Sequence, residues 1–211
     1  MKDCQFPPTP SPRPRPLTRI VPFSQDFLTE VLREGDFAID LTAGNGHDTL
    51  FLHKTVGPQG VVVAFDLQQQ ALEQTAKNLT ENGVCFSSPQ QPRAEWAAGV
   101  YLIHAGHERL GEFISRPINA AIANLGYLPG GDQRLVTKPE TTRTALSASA
   151  ELLIKGGRLA VVVYPGHAGG EDEADAVATW FENLHSTAWN VLRINSANQP
   201  NSPFLLVAEK R

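Results

Sequence analysis

Phe37-Ala38-Ile39-Asp40-Leu41-Thr42-Ala43-Gly44-Asn45-Gly46-His47-Asp48-Thr49 decides how this chain is read. The first five residues form a short apolar run suited to a buried strand. The glycines that follow permit a tight turn into a helix and close approach of a ligand to the backbone. A second apolar run, Val61 to Phe65, ends at Asp66, which lies 66 − 46 = 20 residues beyond Gly46. A glycine turn after one strand and an acid after the next form the pattern that binds an adenosine-type ligand, with the acid accepting two hydrogen bonds from a ribose diol.

Outward from this stretch the alternation continues. Ser24 is expected to cap a helix presenting Phe27, Leu28, Val31 and Leu32 on one face, with Gly35 ending it. A helix through about Val56 follows the glycine turn. Another spans Gln69 to Asn82, with Leu72, Thr75, Ala76 and Leu79 on one side. Residues 84–98, rich in Gln and containing Pro89 and Pro92, read as an insertion loop. Further strands are expected at Val100–His104, Ile118–Ala123 and Arg158–Tyr164, and helices near 107–114, 139–155 and 171–185. Short apolar strands alternating with helices define an α/β sheet with parallel strands. The last two strands, 188–194 and 204–209, have no helix between them. Such a hairpin places one antiparallel strand in the sheet.

Composition narrows the classes. Of 211 residues, 41% are hydrophobic and 19% charged, enough for one real core. No apolar run approaches the roughly 18 residues of a membrane helix, and the first residues lack the apolar core of a secretory signal. Two cysteines, Cys4 and Cys85, exclude a disulfide framework or a cysteine zinc site and suit a reducing cytoplasm. The net charge of −4 is unlike that of a protein coated by nucleic acid, so any contact with RNA must be local. Seven of the sixteen prolines fall between Pro7 and Pro22, and residues 1–19 carry Lys2, Arg13, Arg15 and Arg19 against Asp3. We read 1–19 as a proline-rich, flexible, cationic arm and 20–211 as one domain.

The ligand class follows from charge. A dinucleotide fold wants GxGxxG, but Thr49 stands at the third position and the turn opens with Asp40. Asp40 and Asp48 would repel a pyrophosphate and welcome an ammonium and a sulfonium, which favours S-adenosylmethionine over NAD. A Walker phosphate loop is absent. His104, His107 and Glu108 lack a clearly placed third partner for a metal site, and no metal is expected. His53 and His185 read as ordinary helix residues, and the acidic run Glu171, Asp172, Glu173, Asp175 reads as a solvated face at a helix N-terminus.

Four motifs together, Asp40 to Thr49, Phe65-Asp66-Leu67-Gln68, Asn124-Leu-Gly-Tyr-Leu-Pro-Gly-Gly-Asp132 and Tyr164-Pro-Gly-His-Ala-Gly-Gly170, resemble the YtqB/MnmM family over about residues 20–210. The resemblance implies a Rossmann-like class I methyltransferase: a seven-stranded, mostly parallel sheet with one antiparallel strand and helices on both faces. It implies S-adenosylmethionine as cofactor and methylation of the aminomethyl group of 5-aminomethyl-2-thiouridine at the tRNA wobble position. Thr42 stands where a typical class I turn has glycine, and Ala105 where an acidic residue is common, which leaves adenine contacts to backbone amides, Gly106 or His107. The cofactor set is Asp40, Gly44, Asn45, Gly46 and Asp48 from the first turn, Asp66 and Gln68 from the second, and Gly106 and His107 from the third.

Asn124 and Tyr127 match the ends of the Asp/Asn/Ser-Pro-Pro-Tyr/Phe turn of many amine methyltransferases. A neutral amine must point its lone pair at the methyl, so its N–H groups are held from the side, and Asn124 Oδ1 can accept one. Asn124, Tyr127 and Asp132 are the catalytic candidates. Tyr127, Asp132, His167 or water could take the proton that an ammonium must lose. Arg134, Arg143 and His167 are assigned to substrate, with the arm and Lys138 as further phosphate contacts, and the partner is the tRNA anticodon loop. Two alternatives stay open: methylation of another RNA, such as rRNA, or of a small amine, and a cofactor-binding module without turnover. The oligomeric state is open, with a homodimer among the choices.

Overall fold

A computed structural model describes residues 19–126, 137–166, 170–199 and 201–211. The expected arm 1–19 therefore lies, except for Arg19, outside the described residues. In chain order the elements are α1 (Ile20–Thr29), β1 (Phe37–Asp40), α2 (His47–Val56), β2 (Val61–Asp66), α3 (Gln69–Glu81), β3 (Phe86–Ser87) and β4 (Gly99–His104). A 3₁₀ turn (His107–Arg109) leads into α4 (Leu110–Phe113), followed by β5 (Ile118–Leu125), α5 (Pro139–Leu152), β6 (Leu153–Val163), α6 (Gly170–Glu182), β7 (Trp189–Ile194) and β8 (Phe204–Lys210).

The strands form one sheet in the order β3-β4-β2-β1-β5-β6-β8-β7. All pairings are parallel except those of β8, which runs against both β6 and β7. The single antiparallel strand is as expected; the count is eight rather than seven. The added strand is β3, two exposed residues paired with Val100 and Tyr101. With neither an apolar run nor alternation, only its backbone pairing makes it a strand. The rest of the expected insertion is tied down by Trp96, buried edge-on to Tyr101 at 4.8 Å.

Period-two alternation divides the core into two layers. Ile39, Val63, Ile103, Ala121 and Val161 face one way, toward α4, α5 and α6. Ala38, Val62, Ala64, Leu102, Ile122 and Val162 face the other, against α1, α2 and α3. Helices therefore cover both faces, as a parallel sheet requires. Among the described residues no helix is long and apolar enough to cross a membrane.

Several expected boundaries move; α1, for one, ends at Thr29, so Val31, Leu32 and Gly35 lie beyond it. Ser24 does not cap α1: the helix starts four residues earlier, and the buried Ser24 hydroxyl donates to Val21 O at 2.7 Å inside it. The apolar Ile20 and Val21 extend the packing face beyond the polar signal. Strand β6 begins at Leu153 rather than Arg158, because Leu153 enters the core and the register then slips opposite Ile118–Ala120. Gly156, at φ +78°, and Gly157, whose added Cβ would sit 2.8 Å from Asn119 O, accommodate the irregularity.

Strand order reverses at β1, which sends its chain to β2 on one side while β5 returns on the other. Beyond the carboxyl ends of β1 and β5 lies the crevice such sheets use for ligands.

Candidate active site

The glycine turn is held from behind. Asp40, at the end of β1, has no exposed surface. Its carboxylate accepts from the Thr42 N–H at 3.0 Å and the Thr49 hydroxyl at 2.6 Å. The turn closes with Gly46 N–H donating to Ala43 O at 2.8 Å, and Gly46 is left-handed, at φ +77°, where α2 starts. Helix α3 grips the same loop: the Thr75 hydroxyl donates to Gly44 O and Asn78 Nδ2 to Asn45 O.

Asp66, ending β2, accepts from Gly44 N–H through one oxygen and from Gln68 N–H through the other, both at 2.9 Å. Burial pushes its pKa up while these N–H groups pull it down. Each oxygen retains a further lone pair, so the carboxylate joins the first two turns and can still accept from a diol. In the third turn the buried His107 ring lies with Nδ1 3.3 Å from Leu41 O. Burial lowers its pKa and so favours the neutral ring. Gly106 sits under the Glu108 carboxylate, which an added Cβ would displace.

The fourth turn completes the constellation. Asn124 N–H donates to Thr42 Oγ1 at 2.8 Å, so the residue that departs from the usual glycine ties β5 to the β1 turn. Asn124 Nδ2 donates to Asp48 Oδ2, and Gln25 Nε2 of α1 donates to Asp48 Oδ1 at 2.7 Å. Burial pushes the Asp48 pKa up while the Gln25 and Asn124 hydrogen bonds pull it down; when ionised, the carboxylate only accepts and so fixes which end of the Asn124 amide it holds. The other end, Oδ1, is buried with no hydrogen-bond partner among the described residues. A buried acceptor left unmade is costly; the residue that carries it lines a cleft.

That cleft has a volume of about 390 Å³, within the usual range for small-ligand sites. Of the residues expected to hold cofactor or act in catalysis, Gly44, Asn45, Asp48, Asp66, Gln68, Gly106, His107 and Asn124 line it. Asp40 and Gly46 do not face it; they shape the turn that does. Arg143 is exposed on α5 and away from the lining. Tyr127, Asp132, Arg134 and His167 fall outside the described residues. Lys138, expected at phosphate, also lines the cleft, and the sequence reading missed Val21, Glu108, Thr137, Thr141 and Tyr164, which line it too. Tyr164 carried a signal, since it directly follows β6. Val21 carried none, because its helix was placed too late. Leu67, 60% exposed, adds an apolar wall beside Asp66. Among the described residues no group of three or more His, Cys, Asp and Glu side chains could hold a metal.

The buried acids make stability depend on pH. Burial, and after it the charge of Asp48, push Asp40 from an ordinary 3.8 to about 7, against the opposing pull of the Thr49 and Thr42 hydrogen bonds. A carboxyl raised on folding keeps its proton longer in the folded state. Its stabilising contribution is therefore full below the unfolded value and is lost as pH rises through about 7. The slope from one such proton is at most about 1.4 kcal/mol per pH unit. Asp40→Asn, neutral throughout, is expected to lose less stability than the natural protein between about pH 5 and pH 7 in urea denaturation. Parallel profiles would remove Asp40 as the titrating group. His107, lowered by burial, gives a slope of opposite sign in both proteins.

The family model described as "Putative rRNA methylase" matches residues 62–210. A structure from Clostridium thermocellum bearing the same description superposes with a TM-score of 0.81 at 36% identity, covering 90% of this chain and 97% of that one. A candidate methyltransferase from Streptococcus mutans, solved in complex with SAH, gives 0.76 at 38% identity, covering 92% and 98%. A relative from Arabidopsis thaliana, named a chloroplastic tRNA (mnm(5)s(2)U34)-methyltransferase, is 35% identical over 191 residues. That match covers 86% of this chain but 66% of the relative's length. The fold and its cleft are those of a class I methyltransferase. Within that class, the chain belongs to the rRNA methylase family.

Proposed function

We propose that this protein is an S-adenosylmethionine-dependent N-methyltransferase acting on the aminomethyl group of 5-aminomethyl-2-thiouridine at the tRNA wobble position. The observation that carries the reading is Asn124: a cleft-lining amide fixed through Nδ2 by Asp48, whose buried carbonyl oxygen has no partner among the described residues. The name of the Arabidopsis relative supports the substrate, and the SAH complex of the Streptococcus relative supports the cofactor.

The donor set suits the cofactor. Among the described residues, Asp48, Asp66 and Glu108 line the cleft against one cation, Lys138, exposed at its rim. Acids favour a ligand bearing an ammonium and a sulfonium. Gly44 and Asn45 would lie along its chain, Asp66 with Gln68 at its ribose, and Gly106, His107 and Leu67 at its adenine. When bound, S-adenosylmethionine supplies an electrophilic methyl whose leaving group is a neutral thioether. The protein's own task is then orientation. Asn124 Oδ1 accepts one amine N–H and turns the nitrogen lone pair toward the methyl, while Asp48 keeps the amide from rotating. The same carboxylates favour docking of an ammonium substrate. Asp48, beside Asn124, joins Tyr127, Asp132 and His167 among the groups that could take its proton.

RNA contact rests on few cations. Lys138, Arg143 and Arg134 with the arm 1–19 form the proposed phosphate surface, and an unstacked anticodon base can enter the cleft without breaking a duplex. The proposed setting is the cytoplasm. The family's description favours rRNA as a second reading. Mass spectrometry of nucleosides from a deletion strain separates the two. Accumulation of the unmethylated aminomethyl nucleoside in tRNA supports the first; unchanged tRNA with a lost rRNA methyl mark replaces it with the second.

A further inference from the structure

Glu173 lies in an acidic run that sequence reading assigns to a solvated helix face, yet it is 2% exposed. Its carboxylate accepts from the Thr142 hydroxyl at 2.7 Å and from the Thr137 hydroxyl at 2.5 Å. Thr142 belongs to α5, so the first bond ties α5 to α6. The second reaches further. Thr137 Oγ1 itself accepts from Gly126 N–H at 3.0 Å, and Thr137 N–H donates back to Gly126 O at 3.2 Å. Gly126 is two residues beyond Asn124, and both line the cleft with Thr137, whereas Glu173 does not.

This arrangement is expensive if it only joins helices. A buried carboxylate answered by two hydroxyls is less stabilising than an apolar side chain of similar volume, and Thr142 alone would link α5 to α6. What the second oxygen adds is direction. The Thr137 proton is committed to Glu173, so the Thr137 oxygen must present its lone pairs to Gly126. The order Gly126 N–H, Thr137 O–H, Glu173 carboxylate fixes the backbone just after Asn124 from one side. Thr42 and Asp48 fix Asn124 from the other.

We infer that Glu173 is a positioning residue for methyl transfer: through Thr137 it sets the turn that carries Asn124, without touching the cofactor. The inference deepens the proposed function and rests on the role given there to Asn124.

The test uses the full chain with Glu173→Gln, Thr137→Val, Thr137→Ser and Thr142→Val. Glu173→Gln and Thr137→Val are expected to lower kcat about tenfold or more while S-adenosylmethionine affinity by calorimetry stays within about twofold. Thr137→Ser keeps the hydroxyl and should recover most of the kcat lost in Thr137→Val. Thr142→Val should lower Tm but leave kcat near normal. The double variant Glu173→Gln/Thr137→Val should be no slower than either single one, because both break one unit. Hydrogen exchange of the Gly126 amide, followed by NMR, reads the same relay without turnover: faster in Glu173→Gln and Thr137→Val, unchanged in Thr137→Ser. A Gly126 amide indifferent to Glu173→Gln, or Thr142→Val as slow as Thr137→Val, overturns the assignment. If the natural protein methylates no aminomethyl tRNA, the proposed function fails, and the amide exchange still decides whether the relay exists.

Discussion

Asn124→Ala is expected to bind S-adenosylmethionine as the natural protein does and to lose about 100-fold or more in kcat, the scale set by removing one preorganised polar contact or misplacing reactants by an ångström. The cofactor's expected contacts lie on the first three turns, while Asn124 stands on the fourth, held by Thr42 and Asp48. Its removal deletes the free acceptor Oδ1 and leaves the glycine turn and Asp66 intact. Asp48→Asn separates orientation from acceptance. An amide at 48 can face Asn124 with either end, so Oδ1 is no longer held to one direction and kcat falls although Asn124 is present. Loss confined to KM in Asn124→Ala would mean uniform binding and not orientation of the amine.

Gly46→Ala is expected to have the largest effect on the fold around the cofactor. The position is left-handed, at φ +77°, and the new Cβ would lie 2.8 Å from Thr75 Cα, a backbone atom that cannot swing aside. Left-handed strain costs about 1–2 kcal/mol and overpacking about 1–3 kcal/mol, so a loss of roughly 2–5 kcal/mol in unfolding free energy follows. The glycine turn is gripped by α3 through Thr75 and Asn78, and pushing α3 away shifts Gly44 from Asp66. Cofactor affinity should therefore fall with stability. Urea denaturation and calorimetry measure both. A variant of normal stability and affinity would show that the turn does not need the left-handed residue.

The sheet was legible because its strands are runs of valine, isoleucine and alanine ending at polar turns. Val61–Asp66 and Gly99–His104 differ from expectation by one residue at most. β3 was not legible, since two exposed residues become a strand only through β4. In the site, Gly44, Asp66 and Asn124 were readable because each follows an apolar run at the sheet's carboxyl edge. Asp40 was readable as a site residue, but its burial behind the turn was not. Asp48 was assigned to ligand charge alone. Its hold on Asn124 spans 76 residues, and such a pairing is a property of the folded crevice. The same holds for Glu173, whose partners lie 31 and 36 residues away. Local sequence shows only a negative helix start.

Under the proposed function, the amine nitrogen at the tRNA wobble position receives the methyl group. Purified protein, S-adenosylmethionine carrying an isotopically labelled methyl, and tRNA bearing 5-aminomethyl-2-thiouridine provide the direct measurement, with digestion to nucleosides and mass spectrometry. Label is expected on the aminomethyl nitrogen of that one nucleoside, with none in tRNA lacking the aminomethyl group and near-complete loss with Asn124→Ala. Label absent from that nucleoside while rRNA or another acceptor is methylated, or cofactor bound with no transfer to any RNA, would overturn the wobble-amine assignment.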